Sequence, residues 1–358
     1  MVDEDTFPPW ARLPGDLRYR IVANGSFCQS RGSANLATVS LTASSRTAAP
    51  VSPPDLCFVG VDVGPSVIRA AVFSGAFEVL GKMKLSSKPE RGFASTIGRI
   101  ERCIRYAADE SNLSLDHIDV VGVGVPGDVD PAGRVTLNHG FDFKDVPLRQ
   151  QLTARLGCPV HVGNIFDLAC HAIQVLESSH ESGNFGVLFP GSILAAGLVV
   201  DGQSVDLTKY PAGRPLLPAG CASVLEWTNS TKFRAFRARD FRKAIRKGEA
   251  DAQAFLRHSV VAAAEFGARL VQAAGLHQLV LAGGAVDENK SEMIATAKST
   301  LASLLKSEVA ESINVTTSEL GDDSGLTGAA LVAAQTCCAN HDSTNASEEA
   351  PRRAEMAR

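Results

Sequence analysis

The sequence has little of what marks a secreted, membrane or nucleic-acid-binding protein. No two of its eight cysteines are spaced C-x-x-C, and their positions fit no disulfide framework. Most sit in apolar surroundings, as Cys57 does in LCFVGVDV and Cys158 in LGCPVHV. They read as small buried hydrophobes in a reducing compartment. An excess of one charge is missing too: 35 Lys and Arg face 39 Asp and Glu, a net −4. That balance exerts no general pull on nucleic acid or membrane. The N-terminus, MVDEDTFPPW, is acidic and has no apolar core, so it reads as no secretory signal. No uninterrupted apolar run is long enough to span a bilayer. The expectation is a cytoplasmic protein with no nucleic-acid partner and no membrane association.

What is present is core-forming material. The 358 residues are 45% hydrophobic, which suits one large or two medium domains. Residues 1–55 are rich in Ser, Ala, Arg and Pro and end in TAAPVSPPD. They read as a disordered extension and linker. Residues 340–358 repeat that character as a tail. Between them, strands are expected at Leu56–Asp62, Arg69–Phe73 and Glu78–Leu85. A helix follows from Phe93 to Tyr106, where Phe93, Ile97, Ile100 and Ile104 recur at helical spacing. Val120–Val125 is a buried strand closed by Pro126-Gly127. A short helix over Pro147–Leu156, a strand at Val160–Val162 and a helix from about Leu168 to Glu177 complete the first half.

The pattern then restarts. Phe185–Phe189 and Ala195–Val200 are paired strands, and Phe233–Leu276 is largely helical. Leu279–Ala282 is a strand ending in the Gly283-Gly284 turn. Ser291–Leu305 is helical, Ile313–Thr316 a strand, and Leu326–Thr336 an Ala-rich helix. A meander followed by alternating helices and strands, twice over, predicts two α/β lobes. We divide them as 56–170 together with 322–339, and 171–321. A ligand is expected in the cleft between them.

Chemistry-bearing motifs lie at the turns. In GVDVGPSVIR a strand runs into a turn carrying Asp62, Gly64 and Ser66. Glycine lets backbone approach a phosphate, a hydroxyl can donate to one, and a carboxylate there can hold Mg²⁺ through water. A plain β-hairpin explains the same residues. Gly321-Asp-Asp-Ser-Gly325 supplies N-cap candidates for the last helix.

Taken in order, these segments resemble the ROK family of sugar kinases and transcriptional repressors. VGVGVPGDVDPAGRVTLNHGFDFKDVPLRQQLTARLGCPVHVGN resembles the stretch that pairs a G-x-P-G turn with a sugar-contacting loop. LVLAGGAVDEN resembles the adenosine-side Gly-Gly turn, and LGDDSGLTGAALVAA the C-terminal signature. The resemblance covers Leu56 to Ala339. It implies a two-lobed actin-like ATPase (ribonuclease H-like) fold whose last helix returns to the N-terminal lobe. It also implies ATP with Mg²⁺ as cofactor, a sugar as ligand, and a homodimer. Asp62, Gly64, Ser66, Gly191, Ser192, Gly283 and Gly284 fall at nucleotide and phosphate positions. Asn138, Asn164 and Glu226 fall at sugar positions, while His139 reads as a loop residue.

Three departures stand against that pattern. Family kinases carry an Asn-Asp pair whose Asp takes the proton from the sugar hydroxyl, and here the pair is Asn164-Ile165. An alkyl chain accepts no proton, and general-base catalysis contributes about 10²–10⁴-fold. Asp167, two residues on, is the substitute candidate, although two residues along a helix is nearly the opposite face. It also reads as an N-cap for a helix beginning near Leu168. The phosphate loop is Gly191-Ser-Ile-Leu-Ala-Ala-Gly197, with side chains where the family has bare glycine. The segment matching the family's zinc site has Leu217, Ala219 and Val224 at the cysteine positions, with Cys221 out of register. No structural zinc or other metal ligand set is expected, since such a site takes four N/S ligands. The reading favoured is a sugar-binding pseudokinase or very weak kinase. An active ATP-dependent hexose kinase and a sugar-responsive transcription regulator are the alternatives.

Overall fold

The computed structural model describes residues 56–337, apart from 139–140, 142, 178–183, 192–193, 201–202 and 206–237. The expected meander forms β1 (Cys57–Val63), β2 (Val67–Ser74) and β3 (Val79–Ser86). It is followed by α1 (Phe93–Glu110), β4 (Val120–Val125), a small hairpin β5 (Gly127–Val129) and β6 (Val135–Asn138), α2 (Leu148–Leu156), β7 (Val160–Asn164) and α3 (Ile165–Leu176). The second half contains β8 (Phe185–Phe189), β9 (Ala195–Val200), β10 (Gln203–Val205), α4 (Ala238–Arg246) and α5 (Ala250–Ala274). Then come β11 (Gln278–Leu281), α6 (Lys290–Leu304), α7 (Ser307–Ser312), β12 (Asn314–Thr317) and α8 over residues 324–337.

The two sheets share one topology. The first runs β3-β2-β1-β4-β7 and the second β10-β9-β8-β11-β12. In each, the three meander strands are antiparallel, and the first of them continues into two parallel strands. The restart of the sequence pattern at Phe185 is therefore a structural repeat.

Strand alternation decides what each face of the first sheet touches. Val59, Val61 and Val63 of β1 point into a core with Ile97, Ile100 and Ile104 of α1 and Leu148 and Leu152 of α2. The other face of β1 carries Phe58, Gly60 and Asp62. Phe58 packs with Ala333 and Ala334 of α8, and Ala71 and Phe73 of β2 pack with Leu326 and Ala330. Helix α8 lies unusually close to the sheet because Gly60 and Gly122 lack side chains. A Cβ on Gly60 would fall 2.1 Å from the Leu326 carbonyl oxygen, and one on Gly122 would fall 1.8 Å from that of Ala329.

The end helices are exchanged. Helix α3 closes the first repeat, yet Ala169, Cys170 and Ile173 pack against Phe185, Val187 and Val199 of the second sheet. Helix α8 closes the second repeat and packs on the first sheet. The two helices meet where a Cβ on Gly328 would lie 1.9 Å from the Leu168 carbonyl oxygen, and His171 Nε2 is 2.8 Å from Gln335 Oε1.

Three details differ from expectation. Helix α3 begins at Ile165 rather than near Leu168, because Asn164 and not Asp167 caps it: Asn164 Oδ1 accepts from Phe166 N at 2.8 Å. The Phe233–Leu276 segment is two helices, broken where Gly248 takes φ 73° between α4 and α5; residues 233–237 lie outside the described residues. The β5–β6 hairpin is additional, its strands being too short for periodicity to register. Among the described residues no helix is long and apolar enough to cross a membrane.

Candidate functional site

A cavity of about 240 Å³ opens at the carboxyl ends of β1, β4, β8 and β11. Parallel strands in α/β sheets present their ligand crevices at that end. Equivalent parts of the two repeats face each other across it. Asp62, Gly64 and Pro65 follow β1, as Phe189, Pro190 and Gly191 end and follow β8; Pro126 follows β4, as Ala282, Gly283 and Gly284 follow β11. The starts of the two exchanged helices close the wall, with Ile165, Phe166 and Ala169 from α3 and Ser324 and Gly325 from α8.

Asp62 reaches this cavity by strand alternation, one step beyond Gly60 on the face that carries α8. In the β1–β2 register its cross-strand partner is Arg69. Cross-strand neighbours of opposite charge pair readily, and the guanidinium takes the carboxylate: Arg69 Nε lies 3.2 Å from Asp62 Oδ2, with Nη2 on the same oxygen. Arg69 then extends to the turn before α8. Its Nη2 donates to the Asp322 carbonyl oxygen at 2.7 Å, its Nη1 is 2.6 Å from Asp322 Oδ2, and Asp323 Oδ1 is 3.5 Å away. Burial alone would pull the guanidinium down, but the carboxylates of Asp62, Asp322 and Asp323 hold its pKa above the ordinary value. Burial pushes the Asp62 carboxyl up, while Arg69 pulls it back.

The network continues into the other repeat. Arg242 Nη1 of α4 is 2.6 Å from the same Asp322 Oδ2, and its Nε is 3.2 Å from Glu288 Oε1. Glu288 also takes Arg246 at 2.7 Å, and that guanidinium, helped by Arg242 and opposed by partial burial, sets its carboxyl below the usual range. Lys82 pairs with Asp323, Lys290 sits 3.3 Å from Asp287, and Asp287 Oδ2 accepts from Asp322 N at 3.1 Å. Five carboxylates are thus matched by five cations. The Asp322–Arg242 pair also lies directly over the glycine turn: a Cβ on Gly284 would sit 2.6 Å from Asp322 Oδ1 and 2.8 Å from Arg242 Nη1.

Ile165 occupies the first turn of α3 on the cavity wall and is 8% exposed. Its Cδ1 projects between β4 and α8; a Cβ on Gly124 would lie 2.2 Å from it and one on Gly325 2.6 Å. On α3, Ile165, Phe166 and Ala169 face the cavity. Asp167, two residues from Ile165, is turned about 200° away by the helical repeat and is not among the lining residues. It occupies the acidic first-turn position of the helix, where a carboxylate stabilises the helix dipole by roughly 0.3–1 kcal/mol.

Of the other expected site residues, Gly64, Gly191, Gly283 and Gly284 line the cavity with Asp62. Gly191 is held to α5, its N–H donating to Ser259 Oγ at 2.8 Å, with that hydroxyl 3.2 Å from the Gly191 carbonyl. Ser66 stands in the β1–β2 turn, its carbonyl accepting from Ser87 N at 3.1 Å, and is not among the lining residues. Asn164 is doubly engaged, capping α3 and donating from Nδ2 to the Gly127 carbonyl at 3.0 Å. Gly127 pairs with Asn138 across the β5–β6 hairpin, so both asparagines meet the backbone of one glycine. The side chain of Asn138, and all of His139, Ser192 and Glu226, lie outside the described residues, as does the 217–226 segment. Among the described residues, no group of three or more His, Cys, Asp or Glu could hold a metal ion.

Arg69, Arg242 and Asp322 escaped the sequence reading. Arg69 was legible, since a tight turn after Asp62 makes it the opposing residue in a hairpin. Asp322 stood in GDDSG but read only as a cap. Arg242, in a charge-rich helix, gave no signal.

Comparison with known proteins fits this architecture. The ROK family profile matches residues 58–203 and 219–336. A glucokinase from Halalkalibacterium halodurans is 23% identical over 160 residues, 44% of this chain and 48% of that protein. The chain spans no more than about half the length of the curated relatives it matches. Among solved structures, a ROK family glucokinase from Streptomyces griseus in complex with glucose and AMPPNP superposes with a TM-score of 0.59 at 21% identity, covering 78% of this chain and 99% of that one. A ROK family transcriptional regulator, homolog of the E. coli MLC protein, gives 0.58 at 16% identity, covering 79% of this chain and 78% of that one. The fold is the two-lobed actin-like ATPase fold of these sugar kinases. With repeated sheets, exchanged end helices and a profile match over most of its length, this chain belongs to the ROK family.

Proposed function

We propose that this protein binds a small sugar in the inter-sheet cavity and transfers phosphate to it at a negligible rate, if at all. One observation carries the reading: Ile165 stands where the family resemblance calls for the base, and it is packed between Gly124 and Gly325 as a core residue. No proton acceptor replaces it from the same helix face, since Asp167 points elsewhere on α3. Among the described residues, Asp62 and Asp322 are the carboxylates that line the cavity, and each is engaged by a guanidinium, Asp62 by Arg69 and Asp322 by Arg69 and Arg242.

Sugar binding is supported by the position of Asn164 and Asn138 beside Gly127, next to the cavity wall at Pro126. It is also supported by the glucose complex of the Streptomyces griseus neighbour. The AMPPNP in that neighbour makes ATP the nucleotide to test on the Gly283-Gly284 side. The test is calorimetry with hexoses and N-acylated hexosamines, run beside a coupled ATPase assay on the same panel. Sugar heat without turnover is expected. Turnover with any of these sugars in the ordinary enzymatic range, about 1–10³ s⁻¹, would overturn the reading.

A further inference from the structure

We propose that Arg69 is a built-in cation that takes the place of a divalent metal in this cavity. The proposal deepens the reading above by naming what fills the cation position, but it does not depend on which sugar binds. Three carboxylates, from β1 and from the turn before α8, converge on one point: Asp62, Asp322 and Asp323. In a metal-dependent phosphotransferase, oxygens so placed would hold Mg²⁺ directly or through water, since that ion requires oxygen ligands in near-octahedral array. Here the point is filled by a planar guanidinium, 15% exposed, that spans Asp62 and both the carbonyl and the carboxylate of Asp322.

The residues therefore do not fit Mg²⁺. A metal entering between Asp62 and Asp322 must displace Arg69 from both, and would leave that guanidinium buried without its partners, at a large desolvation cost. Charge balance points the same way. Every carboxylate of the surrounding network already has a cation, including Glu288 with Arg242 and Arg246. A dication would add two uncompensated charges to a matched set. Arg69 is fixed by the strand register, not by a mobile loop, so it is not a gate that swings aside. Mechanically it also ties β2 to the start of α8, joining the two ends of the repeat.

The test is a Mn²⁺ titration of the full chain without sugar or nucleotide, following the free-ion signal by electron paramagnetic resonance. The native protein is expected to leave the signal unchanged up to about 1 mM, the weak end of protein–cation sites. Arg69→Ala is expected to bind Mn²⁺ at least about tenfold more tightly, as Asp62 loses its cation and Asp322 and Asp323 each lose one of two, and Arg69→Ala with Asp322→Asn to lose that gain. Should Arg69→Ala not fold, Arg69→Gln serves, because its amide fills part of the space and can donate a hydrogen bond but carries no charge; the same gain is expected. Micromolar Mn²⁺ binding by the native chain that Asp62→Asn abolishes would overturn the proposal. So would a folded Arg69 variant with no gain. Because no sugar is present, neither result bears on whether the cavity binds one.

Discussion

Restoring a carboxylate by Ile165→Asp separates packing from chemistry. The Ile165 side chain is 8% exposed, with its Cδ1 wedged between Gly124 and Gly325. Full burial of an isoleucine is worth about 1.5–3 kcal/mol, and the shorter Asp forfeits most of it. A carboxylate in that slot adds a desolvation cost of about 1–3 kcal/mol, eased because one side of the site is the cavity. Its position in the first turn of α3 returns roughly 0.3–1 kcal/mol through the helix dipole. The net expectation is a loss of about 2–4 kcal/mol. For a protein of this size that lowers the melting temperature by roughly 5–15 °C, read by scanning calorimetry or urea unfolding. The added base does not by itself create a kinase, because Arg69 still holds Asp62 and Asp322. Radiolabelled γ-phosphate transfer to hexoses is expected to stay near background in Ile165→Asp. Unchanged stability would refute the packing described for Ile165. Mg²⁺-dependent turnover from this single substitution would refute the view that the site has more than one defect.

Other outcomes follow from the same contacts. Gly325→Ala places a Cβ 2.6 Å from Ile165 Cδ1 and is expected to cost about 1–3 kcal/mol; Ile165→Val removes that methyl and should recover at least about 0.5 kcal/mol in a double-mutant cycle. His161 on β7 has its pKa lowered by burial and then by Arg149. Its unfolded state therefore binds the proton first, and stability is expected to fall as pH drops from about 6.5 to the lower folded value. His161→Gln should flatten that slope in urea midpoints measured from pH 7 to 5. Burial pushes the Cys103 thiol up to about 12 and the Cys170 thiol well above its ordinary value. Neither is expected to react with Ellman's reagent in the native protein at pH 8, as mass mapping of the labelled thiols would show.

Much of the fold was readable because its signals are periodic. The isoleucines of α1 recur at helical spacing, and the apolar runs of β1, β4 and β8 are buried on both faces, as the continuous hydrophobicity of CFVGVDV, VVGVGV and FGVLF requires. The return of α8 to the first sheet was legible only through the family resemblance, and the crossing of α3 to the second sheet was not anticipated. Nothing in ALVAA says which sheet it will cover, and the deciding residues, Gly60 and Gly122, act by the side chains they lack. In the site, Asp62 and the Gly283-Gly284 turn could be named from local motifs. The cap at Asn164 was missed because Asp167 is an equally good capping type, and the choice between them depends on β7 ending at Asn164. The ion-pair network was out of reach of local reading. Arg69 and Asp322 are separated by 253 positions, and only the return of α8 to the first sheet brings them together.

We propose that Ile165, together with the hold of Arg69 on Asp62 and Asp322, uncouples sugar binding from phosphate transfer, and this claim is central. It is tested most directly by single-turnover transfer of labelled phosphate from Mg²⁺-ATP to a saturating sugar, with the native full chain in excess over nucleotide. No sugar phosphate above the protein-free control is predicted, at sugar concentrations where calorimetry shows binding. Rapid formation of sugar phosphate, abolished by Asp167→Asn, would contradict the claim and make Asp167 the base.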